Sequence, residues 1–314
     1  MQRSAMAPPR GGSGEVACTP EDFVSVNDIT LCWDSFGNPA DPAVVLIAGM
    51  GSQMTAWDDE FCAALASRGF RVIRFDNRDV GRSTWLESAG TPDMVMAMMR
   101  AWLRQPVSAP YRLADMAADV RGLMDALGIA QAHVAGTSMG ATIAQTLAIR
   151  NPERILSMTS IMSTTGDPDL PSPSPTAVAA VMRPLPRSLD AYVEHYVDTW
   201  RTLRVGRFPE EEARDRERAV RNHGRGLNPA GGARHLAAIL ASGSRRQALR
   251  ALSVPTVVIH GDIDPLVPLA AGLQTAESIP DADFIVVKGM GHALPQPLWP
   301  QIIDGIVSAT VRAG

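Results

Sequence analysis

Gly136-Thr137-Ser138-Met139-Gly140 is the stretch on which the reading of this 314-residue chain turns. The apolar run before it, His133-Val134-Ala135, suits the end of a buried strand. After it, Ile143 and Leu147, together with Ala144 and Ala148, put an apolar face on a helix that Asn151-Pro152 closes. A serine on so sharp a strand-to-helix turn needs small neighbours two positions before and after, because larger side chains would collide across the turn. Its hydroxyl is then pushed out at the carboxyl edge of a sheet, and the next backbone N–H is aimed at the same point. That is the geometry of a nucleophile, and a nucleophilic serine requires a base and an acid that orients the base.

Working outward, strands and helices alternate. Phe23–Val26 and Ile29–Phe36, separated by Asn27-Asp28, read as an antiparallel hairpin. Val44–Ala48 is a continuous apolar strand, as expected of a parallel sheet covered on both faces. Phe61 and Leu65 mark a helix, Phe70–Phe75 a strand, and Met116, Val120, Leu123, Met124 and Leu127 one face of a further helix. After the strand Ile155–Met162 the rhythm breaks, and it resumes with Thr256–Ile259, Ala270–Ser278, Phe284–Val287 and Trp299–Val311. The fold class is therefore α/β, a mostly parallel doubly wound sheet preceded by an antiparallel hairpin. Residues 21–163 and 253–314 form the expected core, and 164–252 an inserted helical cap over the carboxyl edge, where ligands bind in open α/β sheets. Within that insertion Asp167–Pro186 is too rich in Pro and Ser for regular elements. Leu189–Leu203, Glu210–Asn222 and Ala233–Leu252 read as helical, the charged run from Glu210 to Arg221 as a solvated face.

The base is sought among six histidines. His133 lies in the strand before the serine, His195, His223 and His235 lie in the insertion, and His260 ends a strand and reads as packed. His292 sits in Gly289-Met290-Gly291-His292-Ala293-Leu294-Pro295, a flexible loop beyond the last strand that can swing over the sheet edge. For the acid, Gly261-Asp262-Ile263-Asp264-Pro265 holds two candidates. Asp264, with Pro265 after it and Ile263 and Leu266 close by, suits partial burial against His292, whereas Asp262 suits a turn cap. The order Ser138, Asp264, His292, each past a strand end, is the order this kind of sheet requires. An oxyanion needs two preorganised donors. The Met139 N–H is one by construction, and Ala48-Gly49-Met50-Gly51 supplies the other through the Met50 N–H. Because both donors are backbone groups, both Met side chains are free to line a pocket. Met54, Met94, Met98 and Trp102 are expected to extend it as an apolar wall.

With these residues in place the chain resembles the α/β-hydrolases over Phe23–Arg312. Leu46–Thr84, Gly136–Ala148 and Gly289–Pro295 are similar to a bacterial serine esterase group that includes aclacinomycin methylesterase and mycobacterial lipase/esterase-like proteins. Asp76-Asn77-Arg78-Asp79-Val80-Gly81-Arg82-Ser83 resembles that family's loop after the fourth strand, whose charged residues organise turns and are structural. One departure is local: many relatives carry His-Gly at the oxyanion turn, where this chain has Ala48 before Gly49. The resemblance implies two-step acyl transfer on a hydrophobic ester, with no cofactor and no metal. The same triad would serve a thioesterase, lactonase, carbon–carbon hydrolase or perhydrolase, and some proteins of this fold are small-molecule receptors. The sequence does not separate these.

Composition sets outer bounds. Net charge is −4 with no basic cluster, which argues against a nucleic-acid partner. Cys18, Cys32 and Cys62 fit neither a metal site nor a disulfide framework. Residues 1–20 read as a disordered tail without the apolar core of a secretory signal, and no apolar run approaches the ~18 residues of a membrane span. A cytoplasmic enzyme acting on a small-molecule ester is the expectation, with its oligomeric state open.

Overall fold

The computed structural model describes residues 16–313, so most of the expected tail lies outside the described residues. Its last part does not behave as a tail. Cys18 bridges Phe36, and the Thr19 N–H donates to Ser35 O at 2.8 Å, so the chain is already paired beside the sheet there.

Eight strands form one sheet: β1 (Asp22–Val26), β2 (Ile29–Phe36), β3 (Ala43–Ile47), β4 (Arg71–Phe75), β5 (Ala132–Thr137), β6 (Ile155–Ile161), β7 (Thr256–Gly261) and β8 (Asp283–Val287). Their spatial order is β1-β2-β4-β3-β5-β6-β7-β8. The β1–β2 and β2–β4 pairs are antiparallel, and every other pair is parallel. Alternation explains the unbroken apolar runs. In β3, Val45 and Ile47 belong to one core, while Val44 and Leu46 belong to the core on the opposite face.

The helices cover both faces. The first core takes in α3 (Leu113–Ala126) and α4 (Met139–Arg150), and the second α1 (Asp59–Ala66) and α11 (Trp299–Val311). Alongside these run α2 (Met94–Trp102) and α10 (Leu269–Ser278). Between β6 and β7 lie α5 (Pro175–Met182), α6 (Leu189–Leu203), α7 (Glu211–Arg225), α8 (Pro229–Ser242) and α9 (Arg246–Leu249). The helix α6 packs on both α5 and α7, whereas α8 packs on α2 and α3, and α9 on α4 and α10.

Three expectations change here. The Pro- and Ser-rich stretch does contain a helix, α5, because Pro175 occupies its first turn, where a missing N–H costs nothing. The helix expected over Ala233–Leu252 is two, broken at Gly243 (φ 64°). The charged α7 is not a solvated face throughout. Glu211, Asp215, Asn222 and Arg225 are buried along one side, where Arg204 and Arg218 pair with Asp215 at 2.6 and 3.0 Å.

Candidate active site

The connections after β3, β5, β7 and β8 bring the chemistry to one edge of the sheet. At the end of β5, Ser138 adopts φ 53°, ψ −118°, a conformation that costs an L-residue of order 1–3 kcal/mol and persists only where its surroundings enforce it. The enforcement is steric. A Cβ on Gly136 would lie 2.3 Å from Gly140 C, and one on Gly140 would lie 2.0 Å from Ile47 O. Only glycine at both positions lets α4 start so close to β5 and β3. The Ser138 N–H donates to Ile161 O at 2.9 Å, and the Ser163 hydroxyl donates to Ser138 O at 2.8 Å.

His292 and Asp264 meet beyond β7 and β8. His292 Nδ1 lies 2.7 Å from Asp264 Oδ2, both residues being buried. The other oxygen, Oδ1, accepts the Leu266 and Val267 N–H groups at 2.9 and 2.8 Å, which leaves Oδ2 facing the imidazole. The His292 N–H in turn donates to Leu203 O at 2.8 Å and ties this loop to the end of α6. Asp262 does something else: its Oδ1 accepts the Gly289 N–H at 2.6 Å and closes the turn before the histidine. His260 is fully buried, with Nε2 2.8 Å from Val267 O. His133 is also buried, against Ser157 Oγ at 2.8 Å, and burial lowers its pKa to about 4.

Ser138 and His292 line a single cavity of about 400 Å³ whose wall is mostly apolar. The Met50 turn borders it. A Cβ on Gly49 would sit 3.5 Å from Ser138 Cβ, so the two turns lie against each other. Among the described residues, neither the Met50 nor the Met139 N–H has a protein acceptor. Met139 is the first residue of α4, where an N–H has no partner inside the helix.

The expected Met wall is only partly there. Met50 and Met94 line the cavity, but the Met139 side chain is packed into the core. Met54 is fully buried in the turn before α1, its N–H bonded to Asp76 Oδ1 at 2.7 Å. Met98 and Trp102 face outward, Trp102 with 81% exposure, because α2 buries only Ala97. Their places are taken by α6, which turns Tyr192, His195, Tyr196, Thr199, Trp200 and Leu203 toward the cavity at helical spacing.

The loop after β4 works from behind. Asn77 Nδ2 donates to Ala48 O at 3.1 Å, and Asp79 accepts from Arg234 and from Tyr111. These were legible as a charged turn, since they lie within Asp76–Ser83. His235 was not: it is fully buried in α8, its Nδ1 3.1 Å from Gly51 N, and no local pattern marks it.

A family model described as the alpha/beta hydrolase fold matches residues 42–295. The chain belongs to the α/β-hydrolase family. Among curated relatives, rhodomycin D methylesterase DauP of Streptomyces sp. (strain C5) is 30% identical over 93% of this chain and 100% of its own length. Rhodomycin D methylesterase DnrP of Streptomyces peucetius shows the same identity and coverage. Among solved structures, a meta-cleavage product hydrolase (CumD) of Pseudomonas fluorescens IP01 superposes with a TM-score of 0.73 at 20% identity. That match covers 96% of this chain and 99% of the other. These relatives are hydrolases, and so is this chain. No helix among the described residues is long and apolar enough to cross a membrane.

Proposed function

We propose that this α/β-hydrolase is a serine carboxylic-ester hydrolase working through Ser138, His292 and Asp264. The observation that carries the reading is the 2.7 Å contact between His292 Nδ1 and Asp264 Oδ2, at the rim of the cavity that Ser138 enters on a strained turn. Asp264 holds the imidazole with its Nδ1 protonated, which leaves Nε2 as the basic nitrogen to take the Ser138 proton. His292 takes the Ser138 proton as Oγ attacks the ester carbonyl, and returns it to the leaving alcohol. Water then attacks the acyl-enzyme by the same route in reverse. The Met50 and Met139 N–H groups donate to the carbonyl oxygen as it becomes an oxyanion. Each such donor is worth about 3 kcal/mol in the transition state, more than it would be to the neutral carbonyl.

The names of DauP and DnrP, methylesterases that match this chain nearly end to end, favour an ester with a small alcohol. The cavity favours a bulky apolar acid part, since Met50, Met94, Leu236 and the aromatic face of α6 would surround it. The helices α5, α6 and α7 would then act as the cap that selects it.

Ser138→Ala should abolish covalent labelling by a fluorophosphonate and turnover of p-nitrophenyl esters. Labelling that survives this substitution would sink the assignment. A panel of methyl esters, thioesters and lactones of graded acyl size, run beside that control, ranks the bond types by kcat/KM.

A further inference from the structure

Ala48 brings no polar side chain to the turn that carries the Met50 N–H, so the turn has to be held from outside. The turn spans Gly49–Ser52 and is closed by the Ser52 N–H on Gly49 O at 3.2 Å. Gly51 has φ +65° while Met50 stays at negative φ, which makes it a type II turn. Types I and II differ by a flip of the central peptide, here the one joining Met50 to Gly51, and a glycine at the third position tolerates both. The choice between them falls to whatever that peptide's N–H meets.

It meets His235. Gly51 N lies 3.1 Å from Nδ1, and Nε2 lies 2.7 Å from Arg78 O. A backbone N–H only donates and a carbonyl only accepts, so the tautomer is determined: Nδ1 is bare and Nε2 carries the proton. The ring has no exposure. It is fixed in place by its own helix. The neighbouring Arg234 grips Asp79 at 2.8 and 2.6 Å, Asn228 donates to Asp79 O at 3.1 Å, and the Tyr111 ring packs against the imidazole edge-on. Helix α8 and the loop after β4 thus form one frame, and His235 is the point where it touches the turn. Were the central peptide flipped, the Met50 carbonyl oxygen would face the bare Nδ1, acceptor against acceptor.

We propose that His235 is the positioning residue of the oxyanion turn: by accepting the Gly51 N–H through Nδ1 it fixes the peptide that follows Met50, and with it the backbone from which the Met50 N–H is presented to the reacting carbonyl. This rests on the reading of Ser138 and Met50 above.

The test uses the full chain and three variants beside Ser138→Ala, with kcat expressed per site titrated by a fluorophosphonate. His235→Leu removes both ring contacts. His235→Asn keeps an acceptor where Nδ1 stood, and His235→Gln keeps an amide donor for Arg78 O but not that acceptor. His235→Leu and His235→Gln should lower kcat about 10- to 100-fold with KM within about threefold, and weaken a trifluoromethyl ketone by the same factor as kcat. His235→Asn should recover most of both. If His235→Leu does not fold, the Asn and Gln pair carries the comparison. Wild-type kcat per titrated site in His235→Gln, or equal impairment in His235→Asn and His235→Gln, overturns the proposal, leaving His235 a packing residue. Turnover persisting in Ser138→Ala would instead bring down the site reading itself, whatever His235 does.

Discussion

The turn at Ser138 and the turn at Met50 lie side by side at the sheet edge, and they are built in opposite ways. The Ser138 turn is enforced by its own sequence: Gly136 and Gly140, two residues either side, are the only residue type that fits between β5, α4 and Ile47. The Met50 turn is enforced from far along the chain. Asn77 holds Ala48 O, Asp76 holds the Met54 N–H, and His235, 184 residues away, holds the Gly51 N–H. The first turn is steric and local, and the second is a set of hydrogen bonds that converge only after folding. Damage should therefore be all-or-none in one turn and graded in the other.

The largest effect belongs to the steric turn. Gly140→Ala places a Cβ 2.0 Å from Ile47 O, and that atom is strand backbone with nowhere to go. Loss of soluble folded protein, or of all measurable esterase turnover, is the expected result of expressing this variant and assaying it. A folded Gly140→Ala enzyme with substantial kcat would show that the turn has slack, and the contrast between the two turns would lose its basis.

Next comes the pair of acids beside the turns. Asp264→Asn should lower turnover by roughly 10⁴-fold, because an amide opposite Nδ1 favours the wrong imidazole tautomer while leaving the fold intact. Asp262→Asn should cost less than about tenfold, since its oxygen serves only the Gly289 N–H. Steady-state kinetics on one ester decide between them. Equal losses would mean that the loop before His292 matters as much as the acid behind it.

The contrast also explains what could be read before any coordinates. The Ser138 turn was legible because its constraints are five consecutive residues set between a strand and a helix. The burial of Asp264, in contrast to Asp262, was legible because a proline and apolar neighbours foretold it. The Met-rich segment at Met94–Trp102 misled because Val95, Met98 and Trp102 share an apolar side of the helix that stays exposed, while burial falls on Ala97. The buried side of α7 was hidden for a related reason. Hydropathy cannot tell a solvated carboxylate from one such as Asp215, which is buried against Arg204 and Arg218. His235 left no trace at all, since its partners are backbone atoms of Gly51 and Arg78, which carry no residue identity.

The smallest effect separates the two turns by acid. Burial holds His235 at a pKa of about 4, against an ordinary value near 6.5, although the bond to Arg78 O and the Asp79 carboxylate pull the other way. Among the described residues no titratable side chain supports the Ser138 turn in this manner. Between pH 6.5 and about 4 the unfolded chain binds a proton at residue 235 that the folded chain refuses. The stability this site contributes is therefore complete above pH 6.5 and is lost as the pH falls toward 4. His133, lowered to about 4 by burial in β5, adds a slope of the same sign in wild type and variant alike. Scanning calorimetry across this window should show Tm falling less steeply for His235→Asn than for wild type, the difference being the share of residue 235. Parallel slopes would mean that the folded state admits the proton at His235, and hence that the Gly51 contact yields to acid without cost.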